Sequence, residues 1–130
     1  MLDKVEYWLE LCDDDLVTAK ALLENERLLH MGFFCHLIVE KTLKAILASQ
    51  TDEPPPKIHN LITLAKRSSI ITELSDEQLN LLEQLNPLQI EARYPEHKDK
   101  IAETLTLEIC EKLYNETEAF LCWIRQKLDK

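Results

Sequence analysis

Phe33–Ala48, FFCHLIVEKTLKAILA, is the stretch whose reading decides the fold. It contains no Gly or Pro and reads as helix. At helical periodicity Phe34, Cys35, Ile38, Val39, Leu43, Ala45 and Ile46 fill a broad apolar arc. That arc is wider than a surface helix needs, so the segment is expected to be the central helix of a bundle. The opposite side carries His36, Glu40, Lys41 and Lys44, with Glu40 and Lys44 in the favourable acid-first i,i+4 order. Phe33, Leu37 and Leu47 are interleaved with these polar residues. A solvated face has no use for three large apolar side chains, so this side is expected to touch something as well, and the three form a candidate homodimer interface.

Upstream, a helix is expected over Leu2–Asn25. Leu2, Val5, Leu9, Cys12, Leu16, Ala19 and Leu23 recur at alternating spacings of three and four, the seam of a helix packed nearly parallel to its neighbours, and Trp8 and Leu22 widen it. Asp13, Asp14 and Asp15 are consecutive, so they splay around the helix as a solvated acidic face rather than converge on one ion. The short connection Glu24–Leu28 makes the two helices antiparallel neighbours. Gly32 is either a point of close approach or a tolerated weak position.

Downstream, Ser49–Lys57 (SQTDEPPPK) breaks the helix with three consecutive prolines and is long enough to cross the bundle. A short helix is expected over Ile58–Ser68, with Leu61, Ile62, Leu64 and Ala65 inside. His59 is read as bonding to the helix start or lying in a cleft, with the structural role preferred. Ser75 and Gln78 have the form of a capping box opening a fourth helix with Leu79, Leu82 and Leu85 inside, which Pro87 kinks or ends. Glu91–Lys100 (EARYPEHKDK) is irregular and charged, and gathers Arg93, Tyr94, His97, Lys98 and Lys100. A last helix over Thr104–Lys127 carries a second seam of Cys110, Leu113, Thr117, Phe120 or Leu121, Ile124 and Leu128.

The chain of 130 residues has the length of one domain, with a core of its own. A single Gly amid abundant Leu, Glu and Lys argues for an all-α fold, a four-helix up-and-down type bundle with an additional short helix. A net charge of −9 excludes a general nucleic-acid coat but leaves room for a local basic pocket. No apolar run approaches the ~20 residues of a membrane span, and no signal peptide opens the chain, so a soluble cytoplasmic protein is expected. The four cysteines, Cys12, Cys35, Cys110 and Cys122, sit in helical patterns among apolar residues without a CxxC pair. They read as small buried hydrophobes rather than disulfides or metal ligands.

No phosphate loop, nucleophile elbow or HExxH motif occurs, and no metal or cofactor is expected. Cys35 and His36 are adjacent, so on a helix they point about 100° apart and cannot act as nucleophile and base. Arg93 and His97 remain. A metal-free ribonuclease needs a group that moves the 2′-hydroxyl proton, which His suits, and a cation for the crowded phosphate, which Arg suits. The plainer reading makes Arg93 a salt-bridge partner and His97 a solvated loop residue. On the binding side, Lys41, Lys44, Arg93 and Tyr94 are the candidate nucleotide or phosphate contacts, with Arg93, Tyr94 and His97 expected at the rim of a cleft facing Lys41 or Lys44.

The segments DLVTAKALL (Asp15–Leu23), FFCHLIVEKTLKAIL (Phe33–Leu47), KIHNLITLA (Lys57–Ala65) and ARYP (Ala92–Pro95) together resemble the HEPN domains associated with minimal nucleotidyltransferases. The resemblance covers most of the chain. It implies a helical bundle, usually dimeric, and a partner nucleotidyltransferase in a toxin–antitoxin-like pair. Arg93 and His97 stand closer together than the Arg and His of many ribonuclease members. The implied function is therefore a subunit that binds its partner and nucleotide or RNA. The alternatives are a metal-independent RNA-cleaving toxin using Arg93 and His97, and a helical assembly module without ligand.

Overall fold

The computed structural model describes residues 3–91 and 103–129, with Ile90 and Glu91 described in backbone only. Among these there are helices and no strands: α1 (Lys4–Glu24), α2 (Leu28–Gln50), α3 (Leu61–Arg67), a 3-10 turn (Ile70–Glu73), α4 (Asp76–Glu91) and α5 (Leu107–Leu128).

Four of the five helix starts are set by a capping side chain, and α2, which begins after Arg27, has none. Asp3 accepts from the Glu6 N–H at 2.8 Å, Asn60 from Thr63 at 3.1 Å and Thr106 from Ile109 at 3.2 Å. The Ser75–Gln78 capping box forms reciprocally. Gln78 N–H donates to Ser75 Oγ at 3.1 Å, and Ser75 N–H to Gln78 Oε1 at 2.9 Å. Helix α1 ends in a Schellman turn: Arg27 N–H donates to the Leu22 carbonyl at 2.8 Å and Glu26 N–H to Leu23 at 3.0 Å. Glu26 holds the left-handed position there, at φ 55°, where glycine is usual. Pro87 lies inside α4, and the helix continues past it to Glu91.

Helix α2 is the hub, packed most extensively on α1 and also against α3, α4 and α5. Partners along α1 and α2 run in opposite directions: Lys4 with Asp52, Cys12 with Thr42, Asp15 with Lys41. Arg125 of α5 reaches Asp13 of α1 at 3.0 Å, and Lys127 pairs with Glu73 beyond α3. The core cluster draws on every helix. Its largest fully buried side chains include Met31, Ile38, Leu43, Leu61, Leu82 and Phe120.

Both three-four seams face inward. Leu9, Cys12 and Ala19 of α1 are buried, as are Cys110, Leu113, Thr117, Phe120, Leu121 and Ile124 of α5. Gly32 is a point of close approach, because a Cβ there would lie 2.9 Å from Leu88 Cδ1 of α4. Two expectations change. Leu79 is only half-buried and Leu81 takes the inward position. Cys122 is exposed, while burial pushes the thiols of Cys12 and Cys110 up to about 11 and Cys35 to about 12, so those three stay protonated and inert.

Candidate functional site

The polar side of α2 is not a solvated face. His36, Glu40 and Lys44, one turn apart, are 0 %, 5 % and 7 % exposed. Glu40 is the centre. Its Oε2 accepts from Lys44 Nζ at 2.9 Å, and His59 Nδ1 lies 3.1 Å and 3.2 Å from its two oxygens. The Lys44 ammonium also sits 5.9 Å from the Trp8 ring centroid. A carboxylate buried this deeply needs such partners, and here a cation and an imidazole supply them.

An ionised carboxylate only accepts, so the proton of His59 belongs on Nδ1 and its Nε2 is left free. The His59 side chain is 53 % exposed, so Glu40 orients an imidazole whose outer nitrogen meets solvent. His36 is the opposite case. Its Nδ1 is 3.6 Å from Glu40, and neither ring nitrogen has a hydrogen-bond partner. Burial pulls its pKa down to about 4, against the opposing pull of Glu40, so His36 is a neutral imidazole at pH 7.

Beside His59 a groove of about 240 Å³ opens between the start of α3 and the last turns of α4, lined by His59, Asn60, Asn86, Pro87 and Gln89. Asn86 ties the two helices together. Its Oδ1 accepts from the Leu61 N–H at 2.8 Å, and its amide nitrogen donates to Asn60 Oδ1 at 3.3 Å.

The candidate residues fall into three groups. Arg93, Tyr94 and His97 lie outside the described residues. Lys41 and Lys44, expected as phosphate contacts, are each committed, Lys41 to Asp15 at 2.6 Å and Lys44 to buried Glu40. An expected free cationic face on α2 is therefore a set of internal ion pairs. Of the apolar three, Phe33 and Leu37 are half-buried and stand outside the core cluster, but Leu47 is 8 % exposed and belongs to it. The patch expected on this side loses Leu47, because the core wraps further around α2 at its C-terminal end. Sequence reasoning underrated His59 and missed Asn60, Asn86 and Gln89. An Asn directly before a helix was a legible cap signal. The pairing of His59 with Glu40 and of Asn86 with Leu61 had none, since each joins distant parts of the chain.

Among the described residues, no group of three His, Cys, Asp or Glu side chains could hold a metal ion, and no helix is long and apolar enough to cross a membrane. Comparison with curated proteins finds none that matches, and comparison with solved structures finds none. The model of the HEPN domain matches residues 5–127, from the first turn of α1 to the last turn of α5. With its all-helical architecture and a match over nearly its whole length, the chain belongs to the HEPN domain family.

Proposed function

We propose that this chain is one HEPN domain, the subunit of a nucleotidyltransferase-associated, toxin–antitoxin-like pair. In this reading it is a homodimer that binds a minimal nucleotidyltransferase and, through the Arg93–Tyr94 segment, nucleotide or RNA. The observation that carries the reading is the HEPN match over residues 5–127. The EKTLKA and ARYP segments of this chain point to the nucleotidyltransferase-associated type. The commitment of Lys41 and Lys44 to carboxylates supports a binding subunit over an electrostatic RNA coat, and leaves Arg93 as the main cation of the proposed contact. Phe33 and Leu37, one turn apart on α2 and outside the core cluster, are the apolar centre of the proposed two-fold contact.

Co-expression with the nucleotidyltransferase encoded beside it tests the reading. A stoichiometric complex is expected, and two proteins that purify separately would refute the partnership. An RNA-cleavage assay on the isolated chain without metal separates the alternatives. Cleavage abolished by His97→Ala would replace the binding subunit with an RNA-cleaving toxin. Absence of any partner, nucleotide or RNA would leave only an assembly module. Sedimentation at micromolar concentration should give a dimer that Leu37→Glu dissociates with helicity intact.

A further inference from the structure

Helix α1 carries a second apolar row, on the side away from its seam. Leu9, Cys12 and Ala19 turn into the core, while Tyr7, Leu11 and Val17 lie across the helix from them. Tyr7 is 53 % exposed and Val17 71 %, the highest exposures among the large apolar side chains of the described residues. One exposed apolar residue is ordinary, but these share a surface. Tyr7, Leu11 and Val17 line a shallow groove together with Glu10, Asp13 and Asp14. The Tyr7 ring stands edge-on to Trp8 at 6.1 Å, which holds the aromatic end of the row in place. Of the three acids, Asp13 is committed to Arg125 at 3.0 Å. Glu10 and Asp14 are exposed and make no ion pair among the described residues.

We propose that this face of α1 docks a basic amphipathic helix of a protein partner. The partner's apolar stripe would seat on Tyr7, Leu11 and Val17, and its Lys or Arg side chains would pair with Glu10 and Asp14. Charge complementarity selects that occupant. Two uncommitted carboxylates beside an apolar row, on a chain of net charge −9, attract a cationic protein. A second copy of this chain fits worse, because a two-fold contact here would set Glu10 and Asp14 against the same acids. A nucleic acid would meet carboxylates where its phosphates need cations. The geometry also suits a helix. Tyr7 to Val17 runs about 15 Å along the α1 axis, roughly three turns, and helices pack along such rows through residues spaced three and four apart. An exposed tyrosine is a frequent interface anchor, and the face of its ring attracts a lysine or arginine. The surface uses none of the residues assigned above to dimerisation or nucleotide contact, so it stands independently of those assignments.

The test is an NMR titration of the full chain, following the backbone amides of α1. One probe is a helical peptide of roughly five turns with a leucine stripe flanked by lysines. The other has the same composition with its leucines spread around the helix. The striped peptide should shift the amides between Tyr7 and Val17 and bind about tenfold more tightly than the shuffled one, since the two differ only in where the apolar residues lie. Val17→Ser should weaken the striped peptide by about tenfold and leave the melting temperature unchanged, because that side chain stands in water. Tyr7→Ser gives the same reading from the other end of the row should Val17→Ser disturb α1. Asp14→Asn should weaken binding less and reduce its dependence on salt. Equal affinity for the two peptides, shifts centred on another helix, or unchanged affinity in a folded Val17→Ser variant overturns the proposal. Self-association of the isolated chain that Val17→Ser abolishes would give the face to a second copy and overturn it as well.

Discussion

Glu40→Gln should unfold this protein more readily than any exposed charge substitution, because of where the carboxylate sits. Glutamine keeps the volume, so no cavity forms, and the change removes charge alone. What remains is the Lys44 ammonium, 7 % exposed, which has lost its ion-pair partner at 2.9 Å and keeps the Trp8 ring at 5.9 Å. Breaking a buried pair from one side costs roughly 3–5 kcal/mol, because it strands the other charge. The loss of His59 as a bonded neighbour adds little, since that side chain is half in water. The expected loss is therefore about 3 kcal/mol, on the order of 10 °C in Tm for a domain of this size. Urea denaturation at pH 7.5 measures it, and the loss should persist at high salt because the pair is screened little by ions. The stranded-charge explanation makes a sharper demand. Glu40→Gln combined with Lys44→Met, which lays an uncharged chain along Trp8, should be more stable than Glu40→Gln alone. A single-variant loss below about 1 kcal/mol, or a double variant no better than the single, would refute the reasoning.

Three further outcomes are expected. His36 has a folded pKa of about 4, below its ordinary 6.5, so the unfolded chain binds the proton more tightly. Its contribution is fully present above pH 6.5 and is lost as pH falls toward 4, by on the order of 3 kcal/mol, and His36→Leu should flatten that part of the acid limb in pH-dependent denaturation. Glu26→Gly should raise the unfolding free energy by about 0.5–1 kcal/mol, read as a higher urea midpoint at unchanged slope, because it relieves a left-handed residue in an exposed Schellman turn. Ser75→Ala should cost about 1 kcal/mol and fray the start of α4 in amide exchange, since it removes one arm of the capping box.

The helical plan was written in local patterns. The seams of α1 and α5, the capping box at Ser75 and the proline break after α2 are all set by residues a few positions apart, where periodicity and capping chemistry act without tertiary help. The central role of α2 followed from the width of its apolar arc. The resemblance to HEPN domains was likewise carried by short segments in order, and the match over residues 5–127 agrees with it.

The state of the charged side of α2 was not legible in this way. Whether Lys41 and Lys44 are free or paired depends on Asp15 of a neighbouring helix and on which acid the bundle closes over. Whether Leu47 is surface or core depends on how far the other elements wrap around α2. His59 gains its partner only because the loop after α2 folds back across Glu40, and Asn86 meets α3 only because α4 returns alongside it. Local sequence thus determined which segments are helical and which faces turn inward, since those follow from spacing along one chain direction. The tertiary structure alone decided which polar groups are neutralised and which remain to meet a ligand, since burial and charge pairing arise between residues the sequence keeps far apart.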